Sequence, residues 1–142
     1  MSAKPVSPYL KFFSFQGADI LRQIDAMPKA EFDALPFGAV KLDQTAKIIR
    51  YNATEGQITE RDPVAVMGKN FFLDLAACGV GPMFWGRFKS GIMKVEYDEI
   101  FPYVYYHEMP EQAMLVRMCL SPVVDAPKSM WVFVRRLMPN PA

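Results

Sequence analysis

The sequence predicts an α+β fold, a five-stranded antiparallel sheet with short helices on one face and an N-terminal helical cap. Two observations carry this. Two short apolar strand patterns near the first third flank a polar turn, and the last third alternates apolar residues at period two, as in Met114-Val116-Met118-Leu120. Between them lie brief apolar segments cut by glycine and proline, so the order is two strands, short helices, then three strands. With 142 residues, 51% hydrophobic and 22% charged, the chain fits one compact domain that buries roughly two-thirds of its unfolded surface. We expect a cap over 1–34 and a core over 35–138 within that single domain.

The elements follow in order. Residues 1 to 17 carry Pro5, Pro8 and the apolar cluster Tyr9, Leu10, Phe12, Phe13 and Phe15 without a period, an arm expected to lie on the main body. From Ala18 onward Ile20, Leu21, Ile24 and Met27 recur at helical spacing until Pro28 stops them. A second short helix is expected from Lys29 to Ala34. Phe37 to Leu42 and Lys47 to Tyr51 read as a hairpin around Asp43-Gln44-Thr45-Ala46. Asn52 with Glu55 three residues later predicts a capped helix, which Gly56 is expected to limit to about one turn. Asp62-Pro63 predicts a further short helix ending at Gly68, and Asn70 to Leu75 another turn. The stretch Ala76-Ala77-Cys78-Gly79-Val80-Gly81 reads as a pliable loop. Pro82 opens a connecting helix towards Gly91. Three strands complete the chain: the aromatic-rich Tyr97 to His107, Gln112 to Val124, and Met130 to Val134.

Composition excludes much. Sixteen Lys+Arg against fifteen Asp+Glu leave a net charge of +1, with no excess to attract nucleic acid or an anionic membrane. The longest apolar run, Phe71 to Val80, contains Asp74 and is far shorter than the ~20 residues of a membrane span. The start Met1-Ser2-Ala3-Lys4-Pro5 lacks the apolar region of a secretory signal, so a cytoplasmic location is expected. Cys78 and Cys119, in unlike contexts, build neither a disulfide scaffold nor a thiolate metal site. Cys119 reads as a small buried hydrophobe. The single histidine, His107, cannot form a metal cluster, and no nucleophile motif accompanies it.

One spacing stands out. Tyr51, Glu55 and Thr59 lie four apart and would share a side wherever the chain is helical. They could converge on one ligand, but spacing alone favours a strand-end aromatic, a capping-box glutamate and a cap.

The residues themselves decide more. Phe37-Gly-Ala-Val, Tyr51-Asn-Ala-Thr-Glu55-Gly-Gln-Ile-Thr59-Glu-Arg61-Asp-Pro63, Gly68-Lys-Asn-Phe-Phe72, Cys78 and Trp131-Val-Phe-Val-Arg-Arg resemble the photoactive yellow proteins in order and spacing, over about residues 18 to 137. The resemblance implies a bacterial blue-light sensor of PAS fold, not an enzyme. It implies p-coumaric acid (4-hydroxycinnamic acid) joined by a thioester to Cys78 and held as a buried phenolate by Tyr51 and Glu55. Thr59 would support Tyr51, Arg61 shield the pocket, Ala76, Ala77, Tyr105 and His107 contact the chromophore, and Met109 assist its return to the dark isomer. The downstream signalling partner is not named by the sequence, and a monomer or weak homodimer is expected.

The physics of such a site stands on its own. A phenol loses its proton only near pKa ~10, so an ionised one at neutral pH needs donors aimed at it, here Tyr51 and a neutral Glu55. Burial favours the neutral carboxyl because desolvation disfavours its charged form. A proton leaving Glu55 would strand a buried charge, whose cost is met by local unfolding, with the N-terminal arm the first part to detach. The sequence departs from the family in Ala77, where proline is common, in His107, where tyrosine is usual, in Pro110 after Met109, and in a longer turn between the last two strands. His107 reads either as a pocket imidazole that makes the photocycle pH-dependent or as a solvated strand residue. Two other readings stand beside the photoreceptor: a chromophore-free PAS-like binding or dimerisation module, using the aromatic arm and the Tyr103 to Tyr106 surface, and a thioester-forming enzyme that would need a base the sequence does not supply.

Overall fold

A computed structural model describes residues 14–75, 81, 83–105, 112–123 and 126–136. Among them are α1 (Asp19–Gln23), a 3-10 turn (Ile24–Ala26), α2 (Lys29–Asp33), β1 (Gly38–Leu42), β2 (Ile48–Tyr51), α3 (Ala53–Thr59), a π-helical turn (Phe71–Leu75), α4 (Trp85–Gly91), β3 (Asp98–Tyr105), β4 (Gln112–Leu120) and β5 (Met130–Arg136). The strands form one antiparallel sheet in the order β2-β1-β5-β4-β3. The last strand in sequence thus lies in the middle.

Successive side chains of a strand point to opposite faces, and both faces here are covered. Val40, Leu42, Val116, Met118, Met130, Val132 and Val134 meet Phe71, Phe72, Phe84 and Phe88 in one apolar cluster. Ala39, Cys119, Trp131 and Phe133 meet Phe15, Ile20, Ile24, Met27 and Phe32 in the other. The N-terminal helices therefore cap the face opposite to α3 and α4. Cys119 is fully buried, and burial pushes its thiol well up.

Polar clasps hold the cap. Arg117, 4% exposed, grips both carboxylate oxygens of Asp98 and donates to Phe15 O at 3.1 Å and Gly17 O at 2.7 Å. Asp25 accepts from Lys41 at 2.6 Å, Ser121 Oγ at 2.8 Å and Trp131 Nε1 at 3.3 Å. Arg50 donates to Ile24 O and lies over the Phe32 ring at 4.0 Å.

Two expected helices differ. Gly56 does not end α3, which runs through it to Thr59 and closes at Glu60 in the left-handed region, φ 58. Only glycine fits at position 56 within the helix, since a Cβ on it would stand 2.7 Å from Arg61 O. No helix forms over 62–68. Asp62 instead caps a turn through Val64 N at 3.0 Å, and the chain folds back so that Gly68 N bonds Ile48 O at 2.9 Å. The hairpin turn is shaped by Asp43, whose carboxylate accepts from Thr45 N, Thr45 Oγ1 and Lys47 N. Against the opposing effect of burial, these bonds hold it below the usual range.

Asn52 joins the two layers. It is fully buried; its Oδ1 accepts from Ala39 N and Glu55 N, and its Nδ2 donates to Phe32 O and Phe37 O. Asn52→Ala removes the α3 cap and leaves several main-chain groups unpaired, so urea unfolding is expected to show a loss of about 3 kcal/mol. A loss below about 1 kcal/mol would contradict the role of this amide as the joint.

Candidate functional site

Tyr51 is the last residue of β2 and α3 begins two residues later. This tight passage from strand to helix is capped by Asn52 Oδ1, which holds Glu55 N at 3.0 Å. The reciprocal half of a capping box is absent, because Asn52 N is already bonded to Ala39 O. The Glu55 side chain is therefore free to serve elsewhere. Only Glu55 and Thr59 share a helix face by spacing, while Tyr51 joins them from the strand.

Tyr51 and Glu55 are each 3% exposed. Tyr51 Oη lies 2.8 Å from Thr59 Oγ1, and Thr59 Oγ1 lies 2.7 Å from Glu55 O. A carbonyl can only accept and a hydroxyl has one hydrogen, so Thr59 donates to Glu55 O and Tyr51 donates to Thr59. Burial first, and the Glu55 charge after it, push the Tyr51 phenol up, with Thr59 and Arg61 acting the other way. The phenol stays protonated at neutral pH. Arg61 reaches across to Leu75 O at 3.2 Å, tying this cluster to the residue three places before Cys78.

The Glu55 carboxyl sits over β1 at Gly38, where a Cβ would overlap Oε1 and stand 2.9 Å from Cδ. It is expected neutral, yet here it forms a two-pronged ion pair with Arg136, Nη1 bonding Oε1 and Nη2 bonding Oε2 at 3.1 Å. This is the pairing of an ionised carboxylate. Its cause is strand register: the even positions of β5 face the helical layer with Val132 and Val134, so Arg136 emerges on the same side as Glu55.

The structure thus brings together Tyr51, Glu55, Thr59 and Arg61. Tyr105 closes β3. Ala76, Ala77, Cys78, His107 and Met109 lie outside the described residues. Sequence reasoning missed Gly38 and Arg136. An arginine ending an otherwise apolar inward strand face was the available signal for Arg136, whereas nothing in the sequence distinguishes Gly38 from a glycine at a strand start. Among the described residues no group of His, Cys, Asp or Glu could hold a metal ion, and no helix is long and apolar enough to cross a membrane.

No protein-family model matches the chain. The photoactive yellow protein of Rhodothalassium salexigens is 38% identical over 128 residues, 90% of this chain and 100% of that protein. The photoactive yellow protein of Halochromatium salexigens is 40% identical over 123 residues, 87% of this chain and 96% of that protein. Among solved structures, the photoactive yellow protein domain of the sensor histidine kinase Ppr from Rhodospirillum centenum superposes with a TM-score of 0.76 at 40% identity, covering 82% of this chain and 99% of that one. With this fold, these identities and this coverage, the chain belongs to the photoactive yellow protein family, sensory photoreceptors of the PAS fold.

Proposed function

We propose that this protein senses blue light through p-coumaric acid bound as a thioester on Cys78, and converts ionisation of Glu55 into loosening of its N-terminal cap. The observation that carries the reading is the cluster of buried Tyr51 and Glu55 with half-buried Thr59, tied through Arg61 to Leu75. Three residues of chain span at most about 11 Å, so this tie supports a Cys78 thiol within reach of those donors. The chemistry of the set fits a phenolate: a hydroxyl and a protonated carboxyl both donate to an oxygen anion, and such charge-assisted bonds are the strong ones. When bound, the coumaroyl group supplies a double bond that light isomerises and an oxygen that can take a proton.

The chain's own groups must then re-aim. Thr59 turns its hydrogen from Glu55 O onto Tyr51 Oη, which releases the Tyr51 hydrogen towards the ligand oxygen. Glu55 takes up a proton from water and gives up Arg136, becoming an uncharged donor. In this reading Ala76, Ala77, Tyr105, His107 and Met109 complete the pocket. After illumination the Glu55 proton would pass to the ligand oxygen, leaving a carboxylate in a site that is 3% exposed, unpaired until α3 moves and returns it to Arg136. An unpaired buried charge costs several kcal/mol, a large share of the ~5–15 kcal/mol that holds a domain together.

The cost falls on the contacts of α3. Its first turn is docked on the cap side through Asn52 to Phe32 O and Phe37 O, Ala53 N to Asp33 at 2.9 Å, and Thr54 to Leu35 O at 2.6 Å. Loosening there releases the cap and offers a changed surface to a signalling partner, an order-to-disorder switch.

Protein reconstituted with activated p-coumarate is expected to turn yellow, gain the mass of one coumaroyl group on Cys78, and bleach reversibly in blue light, while Cys78→Ala stays colourless. A wild-type protein that remains colourless after reconstitution would leave a chromophore-free PAS module instead. Glu55→Gln donates a hydrogen bond without yielding a proton. It is expected to keep the pigment, shift its absorption and suppress the light-driven rise in hydrogen exchange over residues 14–34; an undiminished rise removes Glu55 from the proton-donor role.

A further inference from the structure

We propose that Arg136 is a positioning residue that alternates with the chromophore as the partner of Glu55, holding the carboxylate whenever Glu55 carries no proton. The light-dependent half of this inference rests on the reading of Glu55 as proton donor; the half that concerns the chain without pigment does not.

The geometry argues it. Both carboxylate oxygens are taken by Arg136, one by each terminal guanidinium nitrogen, and the pair is deeply set, the Glu55 side chain 4% and the Arg136 side chain 17% exposed. A planar guanidinium matches a carboxylate in this two-pronged way, which lysine cannot reproduce. Tyr51 does not compete for the carboxylate, since its single hydrogen is given to Thr59. Among the described residues no buried side-chain nitrogen or oxygen lacks a partner, so the pair completes the local accounting. Gly38 makes it possible by leaving room for Oε1.

This arrangement conflicts with a bound phenolate. A carboxylate held by Arg136 has no hydrogen to donate, and two anions cannot share one dry site without an intervening proton. Loading the pigment therefore requires Glu55 to be protonated and released from Arg136, and loss of that proton returns the carboxylate to the waiting guanidinium. Arg136 is the last residue of β5, the central strand, and pairs with Met114 of β4. The catcher stays in place while α3 moves.

Isotope-edited infrared spectroscopy of the pigment-free protein with labelled glutamate carboxyls, taken as the difference from Glu55→Gln at neutral pH, reads the protonation of this one group. The wild type is expected to show a carboxylate band for Glu55. Arg136→Met, which keeps the apolar stem, is expected to reduce that band to a minor fraction in favour of the carboxylic acid, and Arg136→Lys to restore it in part. An acid band in the wild type, or a full carboxylate band in Arg136→Met with cooperative unfolding preserved, overturns the pairing; if Arg136→Met does not fold, Arg136→Lys against wild type decides by the same bands. In pigment-loaded protein the bleached state of Arg136→Met is expected to recover about fivefold faster, because the carboxylate has lost its counter-charge. An unchanged recovery overturns the light-dependent half. If wild-type protein takes up no pigment, the photoreceptor reading fails, while the bands of the pigment-free protein still decide whether Arg136 holds Glu55.

Discussion

A carboxyl group in the first turn of a short helix, pressed against a glycine of the sheet and almost cut off from water, is the constraint on which the rest of this molecule is arranged. Glu55 cannot be ionised there without a cation and cannot donate there without a proton. The surroundings supply for both states: Arg136 meets the charge, and the hydroxyl pair of Tyr51 and Thr59 marks where an uncharged donor would have company. The cluster is complete without a ligand only because each donor has a substitute partner, Thr59 for Tyr51 and Arg136 for Glu55. Such substitution leaves the polar groups of this cluster paired, and it also sets what a ligand must displace.

The sheet turns this local chemistry into a structural lever. Its central strand β5 sends Val132, Val134 and Arg136 to the face of the donor cluster and Trp131 and Phe133 to the cap. The two faces are joined at the β2 side by Asn52, whose amide holds the α3 backbone on one hand and Phe32 O and Phe37 O on the other. Arg50, on the neighbouring strand position, adds a bond to Ile24 O and a ring contact with Phe32. A shift in α3 is therefore felt by the cap without passing through the sheet. The far end of the cap is fastened independently by Arg117 to Phe15 O and Gly17 O, so loosening that starts at Asn52 need not free the whole segment at once.

Much of this was legible in the amino-acid order. A period-two pattern disclosed β4, a continuous apolar run disclosed β5 because both of its faces are covered, and Asn52 was readable as a cap because its side chain acts within three residues. The errors arose where a distant contact overrode a local preference. Gly56 looked like a stop, but the cost of a glycine in a helix, about 1 kcal/mol, is outweighed by the close approach of Arg61 O that only glycine permits. Asp62-Pro63 looked like a helix start, yet the segment is claimed by the edge of β2 through Gly68 N and Ile48 O. The pairing of Glu55 with Arg136, 81 positions apart, depends on sheet register and was unreadable from spacing.

The central claim is that one buried carboxyl changes its proton and its partner when light is absorbed. Light-minus-dark infrared difference spectroscopy of the reconstituted protein with labelled glutamate carboxyls tests it most directly. The account predicts loss of a Glu55 carboxylic-acid band and gain of a carboxylate band on illumination, both absent in Glu55→Gln. A difference spectrum in which the wild-type Glu55 bands do not change while the pigment bleaches would contradict it.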